Sequence, residues 1–313
     1  MEELAFSANA VLPLFFVMAL GYALKRTGFL NDTFLTVANK FSFKVTFPAL
    51  LFYNIYSAQL PKIDGGLIAA AALGVVGLLL LSTGAVLLFV KDNARRGVIV
   101  QAVFRSNFLV YGTPLAVNMF GDTAQAPAAM LVAIIIPLYN VLAVIVLTVF
   151  GGRGERLDVP AILKGIVTNP LIIASALALL LAGLHMPLPP FLLKATSDVG
   201  SLATPLALVI LGGQFTFGAL RGNGLALTLT TAARLVAAPA LMLTIAVLLG
   251  FRGLELGLLA AVFASPVAIS SQIMAQNMGG DGQLAGQLVI VTTLFSIPTI
   301  FLVIYTLRLL QLI

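Results

Sequence analysis

Across 313 residues the chain is 60% hydrophobic and only 9% charged, a composition that excludes an ordinary water-soluble domain. Its formal charge of +6 therefore bears on membrane topology, and no aromatic-basic interleaving points to nucleic acid. Cysteine is absent, which excludes disulfides and thiolate metal sites, and the single histidine, His185, reads as a residue of a Pro-rich loop.

Apolar runs long enough to cross a bilayer need roughly 20 residues each. Ten are found, at about 4–24, 35–57, 66–90, 95–119, 126–150, 160–184, 194–218, 222–249, 253–277 and 283–311. The first is preceded by Glu2 and Glu3, and basic residues follow it, so it reads as a retained span instead of a signal peptide. Orientation follows from Lys and Arg in the loops. With the N-terminus outside, the inner loops hold Lys25, Arg26, Lys91, Arg95, Arg96, Arg153, Arg156, Lys164 and Arg221. The outer side then holds Lys62, Lys194, Arg252 and Arg308. Nine against four predicts that both termini face outward.

The longest polar connection, Gly151-Gly-Arg-Gly-Glu-Arg-Leu-Asp158, divides the chain into 1–150 and 151–313, with five spans on each side. The fourth and ninth spans carry the clearest internal echo. Around Arg105-Ser-Asn-Phe-Leu-Val-Tyr-Gly-Thr-Pro114 and Ala264-Ser-Pro-Val-Ala-Ile-Ser-Ser-Gln272, an ungapped alignment at offset 159 matches several residues. Ala102-Val-Phe104 meets Ala261-Val-Phe263, Ser106 meets Ser265, Asn118-Met119 meets Asn277-Met278, and Gly121-Asp122 meets Gly280-Asp281. Pro13 with Pro170, and Pro48 with Pro205, match at offset 157. An odd number of spans per half inverts the second copy, so the predicted architecture is all-α, with ten spans in a 5+5 inverted repeat. Spans 4 and 9 are broken where the repeat is strongest.

Thr113-Pro114 and Ser265-Pro266 each read as an N-cap followed by a first-turn proline, predicting half-helices that start at Pro114 and Pro266. Two such N-termini converging near mid-membrane would favour an anion. In the alignment, however, Pro266 faces Asn107 and not Pro114. Lys44, Arg105 and Arg234 fall within spans, whereas all eleven acidic residues lie at span ends or in loops. A cation at that depth costs about 2.5–3.5 kcal/mol on insertion scales, so it should face a cavity or partner. For Arg105 an anionic substrate would serve. For Arg234 a substrate and backbone carbonyls are equal readings, and for Lys44 snorkelling is favoured. The polar neutral residues Asn107, Tyr139, Asn140, Ser270, Ser271, Gln272 and Gln276 should face inward, toward substrate or neighbouring helices. Gly212-Gly213 and the Gly/Ala-rich spans 3 and 8 read as close-packing surfaces.

Phe47-Pro-Ala-Leu50, Arg105-Ser-Asn107, Tyr111-Gly-Thr-Pro-Leu115, Ala203-Thr-Pro-Leu-Ala-Leu208 with Leu211-Gly212, and Ser265-Pro266 occur in an order resembling the auxin efflux carrier family. The similarity is to its bacterial branch of malonate and other organic-acid permeases, over the whole length. It implies the crossed-helix fold shared with bile-acid sodium symporters and sodium/proton antiporters. Spans 1, 2, 6 and 7 would form a scaffold, and spans 3–5 and 8–10 a transport domain moving as an elevator. It also implies a homodimer through spans 2 and 7 and a pocket containing Asn107, Pro114, Asn140 and Pro266. Unlike its sodium-coupled relatives, the chain has no deep carboxylate.

Combining the two lines gives a non-enzymatic transporter of small organic anions in a bacterial inner membrane. The candidate substrate-binding residues are Arg105, Asn107, Gly112, Thr113, Pro114, Tyr139, Asn140, Ser265, Pro266, Ser270 and Gln272. No cofactor or metal is expected, and a coupling ion, H+ or Na+, stays open. A sodium-coupled symporter of the bile-acid type and a non-transporting membrane sensor are the competing readings.

Overall fold

The computed structural model describes residues 2–58, 65–151, 159–215 and 222–313. Among these the chain is helical, with no strand. Lys62, Arg153, Arg156, Arg221 and most of the polar divider after Gly151 lie outside the described residues. The first half runs through α1 (Glu2–Arg26), α2 (Asp32–Phe41), α3 (Phe47–Ser57), α4 (Gly65–Phe89), α5 (Asn93–Phe104), α6 (Thr113–Phe120) and α7 (Gln125–Gly151). The second contains α8 (Val159–Thr168), α9 (Pro170–Gly183), α10 (Pro190–Ser201), α11 (Ala203–Gln214), α12 (Gly224–Ala232), α13 (Ala238–Leu248), α14 (Gly253–Ala264), α15 (Ser270–Asn277) and α16 (Gly282–Leu309).

Among the described residues, five helical stretches are long and apolar enough to cross a membrane: Gly65–Phe89, Phe108–Gly151, Pro190–Gln214, Gly224–Leu248 and Gly282–Leu309. The bent pair Ile162–Thr168 and Pro170–Gly183, meeting at 60°, makes a sixth if taken as one. Large apolar side chains such as Phe16, Leu73, Leu88, Phe191 and Leu248 stand exposed on the outside, as suits a lipid-facing surface.

Local chemistry explains where helices begin. Asn31, Asp92, Asn169 and Asp281 each accept a backbone N–H in the first turn of α2, α5, α9 and α16. Pro170 has no N–H to continue α8 and pushes Asn169 into an extended conformation, which produces the bend.

Three prolines inside helices are accommodated by one device. A π-helical turn occupies Ser42–Thr46 before Pro48, Phe108–Gly112 before Pro114, and Ala233–Ala237 before Pro239. In each case the residue just before the proline donates five residues back: Phe47 to Ser42, Thr113 to Phe108, and Ala238 to Ala233. The wider turn absorbs the missing N–H and the ring without breaking the helix. This corrects the expected half-helix start at Pro114. The helix restarts at Phe108, and Pro114 is carried inside it, on an exposed face. Pro266 likewise lies within the break, and α15 starts at Ser270.

Of the close-packing surfaces expected from glycine, Gly212-Gly213 is one and α4 is one only in part. Gly212 lies against the Met18 backbone of α1, and Gly213 against Leu35, so this pair serves packing within the chain. Gly21 returns the contact against Val209. The small residues of α4, in contrast, pack closely only in part. Gly74 meets Phe263, but a side chain at Gly77 or Gly84 would enter open space.

Candidate functional site

The centre of the molecule is where two helices lose their helical hydrogen bonds side by side. α5 ends at Phe104 and α14 at Ala264, and the extended residues that follow run antiparallel, with Ser106 bridged to Val267. Asn107 N–H donates to the Pro266 carbonyl at 2.8 Å, and Ala268 N–H to the Arg105 carbonyl at 3.4 Å. Each break therefore satisfies part of the other's backbone, which an isolated break in hydrocarbon could not do. Asn107 and Pro266 are also the residues that correspond in the offset-159 alignment.

Breaking two helices in one place brings together two C-terminal ends, each with free carbonyls and partial negative charge. Arg234, fully buried, sits at both. Its Nε and Nη2 donate to the Ser265 carbonyl at 3.0 and 2.7 Å, Nη2 also to Val262 at 3.3 Å, and Nη1 to Val103 at 2.9 Å. Of the two readings left open for this residue, the structure has the carbonyl one. Lys44, on the π turn Ser42–Thr46, is exposed.

Arg105, 3% exposed, is placed differently. Its Nη2 donates to Asn140 Oδ1 at 2.7 Å and to Ser270 Oγ at 2.9 Å, and its Nη1 points at Met274 Sδ. All three partners are neutral, and a thioether is a weak acceptor. The ion pairs among the described residues, Lys25–Asp32, Arg95–Asp281 and Lys194–Asp198, involve neither buried arginine. Arg105 thus keeps a full positive charge without a carboxylate.

Beside it lies a cavity of about 40 Å³, lined by Arg105, Asn107, Tyr139 and Ser270 on one side. Phe47 and Leu51 of α3, Leu171 of α9 and Thr204 of α11 face them. That volume holds a carboxylate group or a few waters. The side-chain NH2 groups of Asn107 and Asn140 are buried with no partner, and such orphaned donors are uncommon. Tyr139 shares a 3.0 Å hydrogen bond with Ser106.

The remaining candidates are dispersed. Gly112 gives the helix after the break its close approach to the Ala261 carbonyl of α14, a packing role. Thr113 is half-buried and bonds back to Phe108 at 3.4 Å. Ser265 donates its hydroxyl to Ala261 at 2.6 Å, and Pro266 contributes its carbonyl to the crossing.

Gln272 belongs to a second polar group. Its Nε2 donates to Gln214 Oε1 at 2.7 Å, which also accepts from Gln276 at 2.7 Å. Asn39 donates to Gln276, and Asn277 donates to Asn39 Oδ1 at 2.6 Å. Five neutral amides from α2, α11 and α15 are joined in this way, reaching from exposed Gln276 to buried Gln272. Sequence reasoning had Gln272 and Gln276 as inward-facing polar residues, had Asn277 only as a match in the repeat, and missed Asn39 and Gln214. Their signal was present: both are amides inside or at the end of apolar helices.

Two archaeal proteins described as uncharacterized transporters, from Methanothermobacter thermautotrophicus and Methanocaldococcus jannaschii, are each 25% identical over 305 residues. Each alignment covers 94% of this chain and 96% of the relative. A family model described as membrane transport protein matches residues 6–304, nearly the whole length, and the chain belongs to that family of transporters.

Proposed function

We propose that the protein is a secondary transporter of small organic anions, with the carboxylate received at the crossing of the broken helices. The observation that carries this reading is Arg105: a buried cation with only neutral partners, near the side-chain NH2 groups of Asn107 and Asn140, which have no acceptor. A carboxylate there would neutralise the charge and accept the spare N–H groups, forming short charge-assisted hydrogen bonds. The test is a thermal-shift screen of the purified protein against mono- and dicarboxylates, followed by liposome uptake of the acids that stabilise it. Binding without flux would support a sensor, and uptake abolished by sodium removal a sodium symporter.

Our fuller architecture is ten spans in a 5+5 inverted repeat, counting α5 to α6 and α14 to α15 as broken spans. Helix pairing supports it: α1 packs on α11 while α3 packs on α9, so the first span meets the seventh as the sixth meets the second. Under this reading both ends face outward in a bacterial inner membrane. Cysteines placed at Gly154 and at exposed Thr27 should react only from the cytoplasmic side. Labelling of either from outside intact cells would reverse the topology.

Alternating access by an elevator follows from the same division. The amide group then joins scaffold helices α2 and α11 to the moving half-helix α15, and closes the inner approach to the crossing. Neutral hydrogen bonds of about 1 kcal/mol each suit a contact that must open and reclose. Cysteines at Asn39 and Asn277, joined by a short bifunctional reagent, should stop uptake, and reversal should restore it. Full uptake in the linked protein would remove the gate.

A homodimer through spans 2 and 7 is the last part of this reading. With Gly212 used inside the chain, the surface we assign to it is the exposed row Phe34, Val37 and Phe41. Cysteine at Val37 should cross-link two copies; links only from α6 or α15 would refute it.

A further inference from the structure

An open cavity of about 820 Å³ lies between α4 and α12–α13, with α5 as its floor. Leu78, Leu81, Ala85 and Phe89 form one wall, spaced three or four residues apart on a single face of α4. Ala226, Thr230, Ala233 and Ala237 form the other, and their small side chains are why the helices leave a trough. The stretch from Leu78 to Lys91 is roughly 20 Å long at 1.5 Å per residue. That exceeds half of a hydrocarbon core of about 30 Å.

The trough is apolar along its length and charged at one end, where Lys91, Asp92, Arg95 and Asn223 line it. Lys91 is exposed and takes part in none of the ion pairs described above. Arg95 donates to Asn223 at 2.5 Å, while its Nε is buried without a hydrogen bond, 3.9 Å from Asp281. Asp92 accepts from Ala94 N–H at the start of α5. Arg96 is occupied by the Val90 and Leu87 carbonyls and by Asn93. Three cations against Asp92 and Asp281 leave this end positive.

We propose that the trough is a binding site for one anionic glycerophospholipid, its phosphate at Lys91 and Arg95 and one acyl chain between α4 and α12–α13. The ligand has the trough's own polarity: an apolar chain ending in an anion at the membrane surface. Basic clusters at that level attract anionic lipid by about 1 kcal/mol per residue. The site is separate from the Arg105 cavity and shares no lining residue with it.

The experiment counts lipids retained by the purified wild-type protein in native mass spectrometry. The probes are phosphatidylglycerol and phosphatidylcholine with identical acyl chains. Wild type should retain one phosphatidylglycerol in preference to phosphatidylcholine, by at least about fivefold, and Lys91→Ala should lose about fivefold of that preference. Ala237→Phe, at an exposed lining position, should lose both lipids by filling the trough. A lipid-free melting curve checks that each variant is folded. Equal retention of the two lipids by wild type, or undiminished retention in Ala237→Phe, overturns the proposal. So does a change of oligomeric state in Ala237→Phe with lipid still bound, since the trough would then belong to a second copy.

Discussion

Replacing Arg105 by Ala is expected to abolish saturable organic-anion uptake while the protein still folds. The side chain donates to Asn140 and Ser270 and points at Met274, so its removal costs hydrogen bonds of about 1 kcal/mol each. That loss is partly offset, because a buried charge without a counter-ion goes with it. Binding of an anion has no such compensation. Arg105→Lys should recover uptake only in part, since an ammonium lacks the planar two-point grip on a carboxylate. Asn107→Ala should weaken binding by roughly 1–3 kcal/mol if its free NH2 meets the substrate. Uptake into liposomes and melting temperature in detergent, read on the same preparations, separate the two effects. Wild-type affinity and rate in Arg105→Ala would make the residue structural and remove the anion site from the crossing.

Arg234→Ala is expected to behave in the opposite way, losing the fold first. This guanidinium supplies four hydrogen bonds to three carbonyls, those of Val103, Val262 and Ser265, at the ends of both broken helices. Each buried acceptor left without a donor costs about 1–3 kcal/mol, so the total should reach roughly 3 kcal/mol or more. Arg234→Lys should rescue little, because one flexible ammonium cannot serve carbonyls on two helices in a fixed plane. Thermal unfolding and yield of monodisperse protein are the measurements. A wild-type melting curve for Arg234→Ala would show that the crossing holds without its cation, and the capping account would fall.

These two arginines mark the division between sequence and structure. Both are cations inside apolar runs, and composition assigns each the same insertion penalty and the same need for a partner. Which one meets carbonyls and which meets neutral side chains depends on where α12 to α13 passes relative to the crossing, a long-range arrangement with no local signal. The prolines show the same limit. Thr113-Pro114 and Ser265-Pro266 look alike as caps, but Pro266 lies in the break whereas Pro114 is absorbed by a π turn. The difference is settled by pairing: Asn107, not Pro114, finds the Pro266 carbonyl across the crossing.

What the chain determined by itself was what depends on near neighbours and on transfer to lipid. Apolar runs place the helices, because hydrocarbon leaves backbone groups no partners outside the segment. The repeat at offset 159 made Asn107 the counterpart of Pro266 in sequence, but that the two meet through a backbone hydrogen bond was visible only in the structure. Gly212 was legible as a close approach, but its partner, the Met18 backbone of its own α1, was not. The amide group of Asn39, Gln214, Gln272, Gln276 and Asn277 is assembled from positions up to 238 apart. The trough between α4 and α12–α13 exists because a Leu/Phe face of α4 and an Ala/Thr-rich face of α12–α13 stand apart instead of meeting. Those features were decided by the tertiary structure, because each depends on which helix faces which across the bilayer, and the energy that selects it is shared over many contacts.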